Sequence, residues 1–590
     1  MNDNTFILLD DARANRARLY QDHRARILLS AARLDELDDL LADGWARGLH
    51  ATLRIPYAFG HALLGLDAPA APLALDWYAA LHHLRDDTID AWLAAQDDGT
   101  PAGLADLRAD TDATEYRATI AAIHAELRAG NSYQINHTIR LHAAAYGQPA
   151  ALYRRLRARQ PAPYAAYAHH PDDGYTLCLS PELYLARDGG LLHTMPMKGT
   201  APATGDDAVD AAAAAALAAD PKNRAENLMI VDLLRNDLSR LAVPYGVSVK
   251  HPFHVERHGR VLQMTSRVNA RLRPHTTAAA ILRATFPCGS ITGAPKHNTM
   301  RLIHRFERSP RGLYTGALGY IERDRLRLNV AIRTLTLRDG AATFGVGGGI
   351  TILSDAADEY RECHTKAAFL HAPPDFALIE TLRAEGGHAL RLDAHLARLA
   401  ASAATFAIPC DTAAIRTAVS RHLANGRGLR RLKITLHPDG RHHIETHPLD
   451  EQPTTVACCL YPEALPVHDL LRRHKTSYRA VNDRALAHAA TRGAFDAILT
   501  NTRGELLEGS RSSLILRLDG SWYTPPLAAD ILPGVMRARL IADPSPLGGG
   551  MLRERPLTTA DLARAEAVVL CNSLRGVMRV THIREYSRFK

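Results

Sequence analysis

The chain has no run of about 18 apolar residues, so nothing in it can cross a bilayer as a helix. It has no CxxC pair either. The seven cysteines are scattered and odd in number, and the adjacent Cys458 and Cys459 cannot readily bridge each other. That excludes a disulfide framework and a zinc ribbon and suits a reducing, cytoplasmic setting. The start, Met1-Asn2-Asp3-Asn4, lacks a basic segment leading into an apolar stretch, so no secretory leader is expected. There is no concentrated basic block. The net charge of +8 is spread along the chain, and Arg154-Arg155 and Arg430-Arg431 sit in amphipathic patterns that read as solvated faces. Neither a nucleic acid nor a membrane is therefore an expected partner, while the mild positive excess suits anionic substrates. No internal repeat is visible.

What is present is an ordinary globular composition, 46% hydrophobic and 23% charged, which argues against disorder. At 590 residues the chain is too long for one core. Phe6-Ile7-Leu8-Leu9 reads as a buried strand closed by Asp10-Asp11. Residues 30–42 carry helical spacing, and Asp206 to Asp220 is an Ala-rich surface helix. In 225–241, Leu228, Val231, Leu234, Leu238 and Leu241 fall on one helical face. From 311 to 353, β-rich runs alternate with glycines and predict adjacent antiparallel strands. Pro373-Pro374 cannot continue a helix and marks a linker. Beyond it come a strand at 376–382, a helix at 393–406 and strands at 429–436 and 442–447. The expected organisation is a domain over 1–371, a linker at 372–374 and a second domain over 375–590.

Several charged residues stand in apolar surroundings. Glu226 and Glu362 interrupt apolar segments, and a buried acid is costly unless it is paired or binds a cation. Two such acids from distant segments suit a hard, oxygen-seeking ion such as Mg²⁺. Arg333 lies in a pattern that otherwise wants apolar strand residues and can grip a carboxylate through two parallel hydrogen bonds. Lys366 follows Glu362 by four residues and shares its helical face. The glycines at 347–349 allow close backbone approach to a ligand, yet lack the Lys-Ser/Thr of a nucleotide loop.

Seven blocks occur in one order: GNSYQINHT (130–138), SPELYL (180–185), PMKGTAP (196–202), AENLMIVDLLRNDLSR (225–240), GSITGAPK (289–296), NVAIRTL (329–335) and GVGGGITILSDAADEYRECHTKA (345–367). Together they resemble the chorismate-utilising enzymes, in particular the aminodeoxychorismate synthase component I branch. The resemblance is strong over 110–370 and weak before it. It implies that Glu226 and Glu362 hold Mg²⁺ at the ring carboxylate of chorismate, with Glu359 as an outer helper. It assigns Tyr314, Arg333, Gly349, Lys366 and Thr292 to substrate binding. Lys198 would be the nucleophile that attacks ring carbon 2 as the hydroxyl leaves carbon 4, with ammonia then entering at carbon 4 and displacing it. Glu182 would be the acid/base that assists hydroxyl departure. Anthranilate-forming relatives lack that lysine. Many relatives carry a histidine where Gln263 stands here. No glutaminase segment is recognisable, so a separate glutamine amidotransferase is the implied ammonia source.

Residues 375–590 carry LIETLR (378–383), HLARLAASAATF (395–406), HKTSYR (474–479), NTRGELLEGSRSSL (501–514), TPPLAADILPGVMR (524–537) and CNSLRGV (571–577). These resemble fold-type IV pyridoxal-phosphate enzymes, which include aminodeoxychorismate lyase and branched-chain aminotransferases. Such an enzyme needs a lysine for the internal Schiff base, an acid at the pyridine nitrogen and a phosphate cup. Lys475 and Glu508 match the first two. Val535 and Met536 open a helix whose amides are free for phosphate, Arg398 matches the phosphate arginine, and Asn572 and Ser573 match further contacts. The family's usual Ser-Asn is Ser512-Ser513 here. A homodimer through this domain is implied as well.

The expected fold is mixed α/β (α+β): a chorismate-utilising fold with large antiparallel sheets, then a fold-type IV domain. The expected chemistry is amination of chorismate followed by pyruvate loss to 4-aminobenzoate. The motifs of the second domain alone leave lyase and aminotransferase both open. The fusion favours the lyase, because the first domain would make the lyase's substrate. The alternative is an anthranilate-type first domain with an amino-acid aminotransferase behind it.

Overall fold

The computed structural model describes residues 5–258, 261–424, 428–450 and 453–584. The chain forms two compact units. The first comprises Met1–Gly99, Leu107–Ala143 and Gln148–His371; the second comprises Thr100–Asp106, Ala144–Gly147 and Ala372–Lys590. The two short early segments of the second unit are invisible as such in the sequence. Tyr146 packs its edge against Phe376 and Phe406, with ring centroids 5.9 and 5.6 Å apart.

The first unit is organised around an 18-stranded sheet. The buried strand expected at Phe6 is Phe6–Asp11, and it pairs antiparallel with Arg16–Leu29 and Tyr164–His170. The β-rich stretch from 311 folds into two hairpins, Ala317–Ile321 with Arg325–Val330 and Thr334–Arg338 with Ala341–Ile350. Trp77, 1% exposed, anchors the main apolar core with Leu34, Leu53 and Leu75.

Three helices matter for the site. Asp220 caps Pro221–Ser239 through the Asn223 amide. Val231, Leu234 and Leu238 of that helix are buried, but Leu228 is 58% exposed and does not belong to the buried face. The apolar stripe is narrower than the sequence spacing suggests, and Asn227 and Ile230 take the inward positions. Asp355 caps Ala356–Ala367, whose buried side is Cys363 and Ala367. Glu359, Glu362 and Lys366, at spacings of three and seven, share a face that flanks this buried side. Gly534 opens Val535–Ala542 without any side-chain cap.

The second unit has a four-stranded antiparallel sheet, with Leu378–Glu385 and Leu429–Leu436 at its centre. Its helix Leu392–Thr405 buries His395, Leu396 and Leu399. An eight-stranded mixed sheet follows, in which Thr455–Leu465 runs parallel to both Asp496–Asn501 and Gly576–Ile583. Among the described residues no helix is long and apolar enough to cross a membrane.

Candidate functional site

Lys198 lies half-buried in the strand Met197–Pro202, opposite Met264 of the neighbouring strand. Glu182 is 5% exposed, between the strands Gly174–Ser180 and Leu183–Asp188. Burial pushes its carboxyl up to about 7, against the opposing pull of a Ser290 hydrogen bond and the charge of Lys198. Oε1 of Glu182 has no hydrogen-bond partner among the described residues. A buried acid raised toward neutrality, within the electrostatic reach of an amine, is what a proton-assisted displacement requires. Ser290 was not singled out by the motifs, although it lies within GSITG. It sits in the single 3-10 turn Gly289–Ile291 that also presents Thr292.

Thr292 is fully buried, and its hydroxyl donates to the Cys288 and Gly289 carbonyls at 3.3 and 3.2 Å. Its own carbonyl accepts from the Asn136 amide. Gly293 and Ala294, just beyond, pair with Ile135 and Gln134. Gln134 also closes on the glycine strand: a methyl group added at Gly349 would sit 1.8 Å from Gln134 Nε2, so that amide would have to move aside. A methyl group added at Gly345 would stand 2.2 Å from the Tyr314 ring, and Tyr314 is itself buried. The backbone of 345–349 is therefore the floor on which these groups meet.

Glu359, Glu362 and Lys366 converge on Gly348. A methyl group there would stand 3.0 Å from Glu359 Oε2, 3.7 Å from Lys366 Nζ and 3.9 Å from Glu362 Oε1. Lys366 Nζ lies 2.6 Å from Glu362 and donates to the Gly347 carbonyl at 2.8 Å. Ser354 donates to Glu359 at 2.7 Å. The expectation of buried acids needs correcting, because the Glu362 side chain is 54% exposed and Glu226 is half-buried. Glu362 stands on the polar side of an amphipathic helix whose apolar side is already spent on the core. Among the described residues, the group of three His, Cys, Asp or Glu side chains whose ligand atoms all lie within 4.8 Å of one another is His23, Asp76 and His170. Glu226, Glu359 and Glu362 are not so assembled. Glu359 and Glu362 still offer hard oxygen donors, which is the donor set Mg²⁺ takes alongside substrate and water. The His23 cluster is an unlike case, since Arg26 covers both Asp76 oxygens at 2.8 Å.

Arg333 is not a strand residue. It occupies the bend before Thr334–Arg338 with φ of 50°, a conformation uncommon outside glycine and suited to a site held by its surroundings. Burial pulls its guanidinium down to about 10. A buried cation of this kind is stabilised by an incoming carboxylate. Gln263 is buried and its Oε1 has no partner among the described residues, as is the case for Gln134. Both ring nitrogens of the buried His137 are likewise without partners among the described residues. Motif reading missed His137. Its position in GNSYQINHT, an otherwise neutral block, was the available signal.

In the second unit, Lys475 is half-buried, and its carbonyl accepts from the Ile379 amide at 2.8 Å. Loss of water pulls its amine down to about 8, helped by Arg479 and Arg398 and opposed by Glu380 and Glu508. Burial raises Glu508 to about 7, although the Leu532 amide donates to it at 3.2 Å. The acid and the lysine thus act on each other's charge. Ser573 is 7% exposed and its hydroxyl has no partner among the described residues. The uncapped amides of Val535 and Met536, and separately this orphaned hydroxyl, are donors that an oxyanion could take up. A pyridoxal phosphate fits these residues. Two of the matched residues have protein partners of their own. Asn572 spends its side chain on its own loop, accepting from the Leu574 and Arg575 amides and donating to the Arg511 carbonyl. Arg398 is already paired with Glu380, which the motifs did not single out.

The comparisons bear on both units. The sequence model of the chorismate binding enzymes matches residues 77–372, and that of class IV amino-transferases matches residues 377–583. An aminodeoxychorismate synthase from Streptomyces griseus is 41% identical over 315 residues, covering 52% of this chain and 42% of that protein. Aminodeoxychorismate synthase component 1 of Klebsiella aerogenes is 40% identical over 280 residues, covering 47% of this chain and 62% of that protein. The chain therefore spans less than two thirds of these relatives. The structure of anthranilate synthase component I from Streptococcus pneumoniae superposes with a TM-score of 0.51 at 23% identity, covering 61% of this chain and 93% of that one, a likeness of fold.

Proposed function

The chain belongs to the chorismate binding enzyme family, and on that premise we propose that it makes 4-aminobenzoate in two steps. In the first unit chorismate is aminated to 4-amino-4-deoxychorismate. In the second, pyruvate is removed. The observation that carries the reading is the Glu182–Lys198 pair, an acid held at about 7 with an amine beside it.

In the first reaction the Lys198 nitrogen bonds to ring carbon 2 while the carbon 4–oxygen bond breaks and the ring double bond shifts. Glu182 gives the leaving hydroxyl its proton, so it departs as water. Ammonia then bonds at carbon 4, the double bond returns, and the lysine is released. Arg333 and Lys366 face the two carboxylates. Glu359 and Glu362, with Glu226 from its separate helix, would hold Mg²⁺. Ammonia would come from a separate glutamine amidotransferase, since the relatives named component 1 imply a second component.

In the second unit, pyridoxal phosphate supplies an electron sink when bound. Lys475 anchors it and moves the proton from ring to pyruvyl carbon. Glu508 would hold the pyridine nitrogen, while Val535, Met536, Ser573 and Arg398 would hold the phosphate. The reading includes a homodimer through this unit and a reducing, cytoplasmic setting. That setting suits seven free cysteines, all but Cys410 buried.

The test is product analysis after supplying chorismate, an ammonium salt, Mg²⁺ and pyridoxal phosphate. The full chain should release 4-aminobenzoate. Lys198→Ala should make none from chorismate, yet still convert supplied aminodeoxychorismate. Lys475→Ala should stop at aminodeoxychorismate. Release of anthranilate, or 4-aminobenzoate at the parent rate from Lys475→Ala, would sink the assignment.

A further inference from the structure

Glu380, 1% exposed, is a deeply buried carboxylate near the second site, and it is ringed by donors. Arg398 reaches its two oxygens through Nε and Nη2 at 2.8 and 2.6 Å. His395, fully buried, places Nδ1 2.7 Å from the oxygen that also takes Nη2. Arg398 keeps its third arm, Nη1, for the Pro533 carbonyl at 3.0 Å. Pro533 immediately precedes Gly534, the residue that opens the uncapped helix. Glu380 thus holds the guanidinium against the turn that presents the Val535 and Met536 amides.

The other end of the same strand segment reaches the lysine. Ile379, next to Glu380, donates its amide to the Lys475 carbonyl, and Leu378 pairs with Thr476. A single strand therefore ties down both the backbone of the lysine and the arginine beside the phosphate cradle. A charge buried this deeply costs stability unless its surroundings repay it. Here Arg398 and His395 more than overcome burial, and they hold the carboxyl below the usual range.

We propose that Glu380 is the positioning residue of the second site, fixing Arg398 for the cofactor phosphate and setting the electrostatic environment of Lys475 from the same strand. This rests on the reading of the second unit as a cofactor site. A purely structural acid would stabilise the fold but leave the titration of the lysine untouched. Glu380 does not act alone on it. The charged groups acting on Lys475 are Arg479 from the helix after it, Arg398 from helix Leu392–Thr405, Glu508 from the adjoining strand, and Glu380 itself. Arg479 and Arg398 disfavour the charged amine, and the two acids favour it.

The experiment compares the full-length parent, Glu380→Gln and Arg398→Lys. Each is stripped of cofactor and titrated with pyridoxal phosphate, following absorbance, and the bound form is then titrated with pH. Glu380→Gln keeps the shape but removes the charge. Cofactor affinity should fall by roughly ten- to a hundred-fold, the loss typical when outer-shell support is removed. The pH midpoint of the bound cofactor's absorbance should move down, because one of the two acids favouring the protonated nitrogen is gone. Arg398→Lys keeps its charge but loses the two-pronged grip. It should weaken cofactor binding and leave the midpoint in place. An unmoved midpoint in Glu380→Gln would overturn the proposal. Should that variant fail to fold, parent-like cofactor affinity in Arg398→Lys would overturn it equally. A parent chain that takes up no cofactor would instead refute the reading of the second unit itself, which separates the two failures.

Discussion

Replacing Glu182 by Gln tests the first site most directly. The substitution keeps size and burial but leaves no transferable proton. Glu182 sits at about 7 because burial raises it more than Ser290 and Lys198 lower it. At neutral pH about half the molecules therefore carry the acid form. Over the range from about pH 6 to about pH 8 the protonated fraction falls by roughly tenfold, and amination should fall with it if that proton is delivered in the rate-limiting step. Losing a general acid costs about a hundred- to ten-thousand-fold in rate. The assay is aminodeoxychorismate formation in a Lys475→Ala background, where the product accumulates. The ammonium salt is adjusted at each pH so that free ammonia stays constant. Glu182→Gln should be slower by that range at low pH, and its remaining rate should be flat where the parent declines. A variant within about threefold of the parent, or one that keeps the parent's decline, would show that the proton comes from elsewhere.

Glu362→Gln and Glu226→Gln should each raise the Mg²⁺ concentration needed for half-maximal chorismate binding, measured by titration calorimetry, because each removes a charge from a hard-cation site. The larger effect is expected at Glu362, which already stands with Glu359 at Gly348; unchanged Mg²⁺ dependence in both would reject the metal assignment. Glu307→Gln tests a different feature. That carboxylate pairs with Arg140 at 3.1 Å and Arg311 at 2.7 Å. Burial works to raise it, but the two arginines overcome burial and hold it at about 2. The change leaves two buried cations uncompensated and should cost about 3–5 kcal/mol in denaturant unfolding. Because the folded-state value is depressed, this stabilisation is full above the unfolded carboxylate value and is lost as pH falls toward 2. The variant's deficit should therefore shrink in acid, and a deficit constant across that window would contradict the pairing.

Much of the site was legible because its residues violate their surroundings. Arg333 after Val330-Ala331-Ile332 is a charge in an apolar neighbourhood, and such a position is costly unless chemistry uses it; Lys198 was legible only through the resemblance of the PMKGTAP block. The helices carrying Glu226 and Glu362 followed from spacing, whereas their caps, Asp220 and Asp355, came from the structure. Leu228 shows where spacing misleads. A leucine at the right phase of a helix is buried only if a neighbour covers it, and none covers Leu228. Glu380, His395 and Ser290 were missed for the converse reason. Each is an unremarkable polar residue in sequence, and its role exists only through partners 15 to 108 positions away.

The order of blocks, the Pro373-Pro374 break and the residue types at the two sites were determined by sequence alone. These are local or combinatorial properties, and neither needs a partner in space to be read. Tertiary structure decided what depends on distance and on exclusion of water. It drew Glu182 up beside Lys198, placed Glu359 and Glu362 over Gly348, gave Arg333 its left-handed turn and assigned Arg398 to Glu380. Charge energies vary inversely with separation and with local polarisability. Neither quantity is encoded at any one position, so the ionisation states on which the chemistry turns emerge only when distant segments meet.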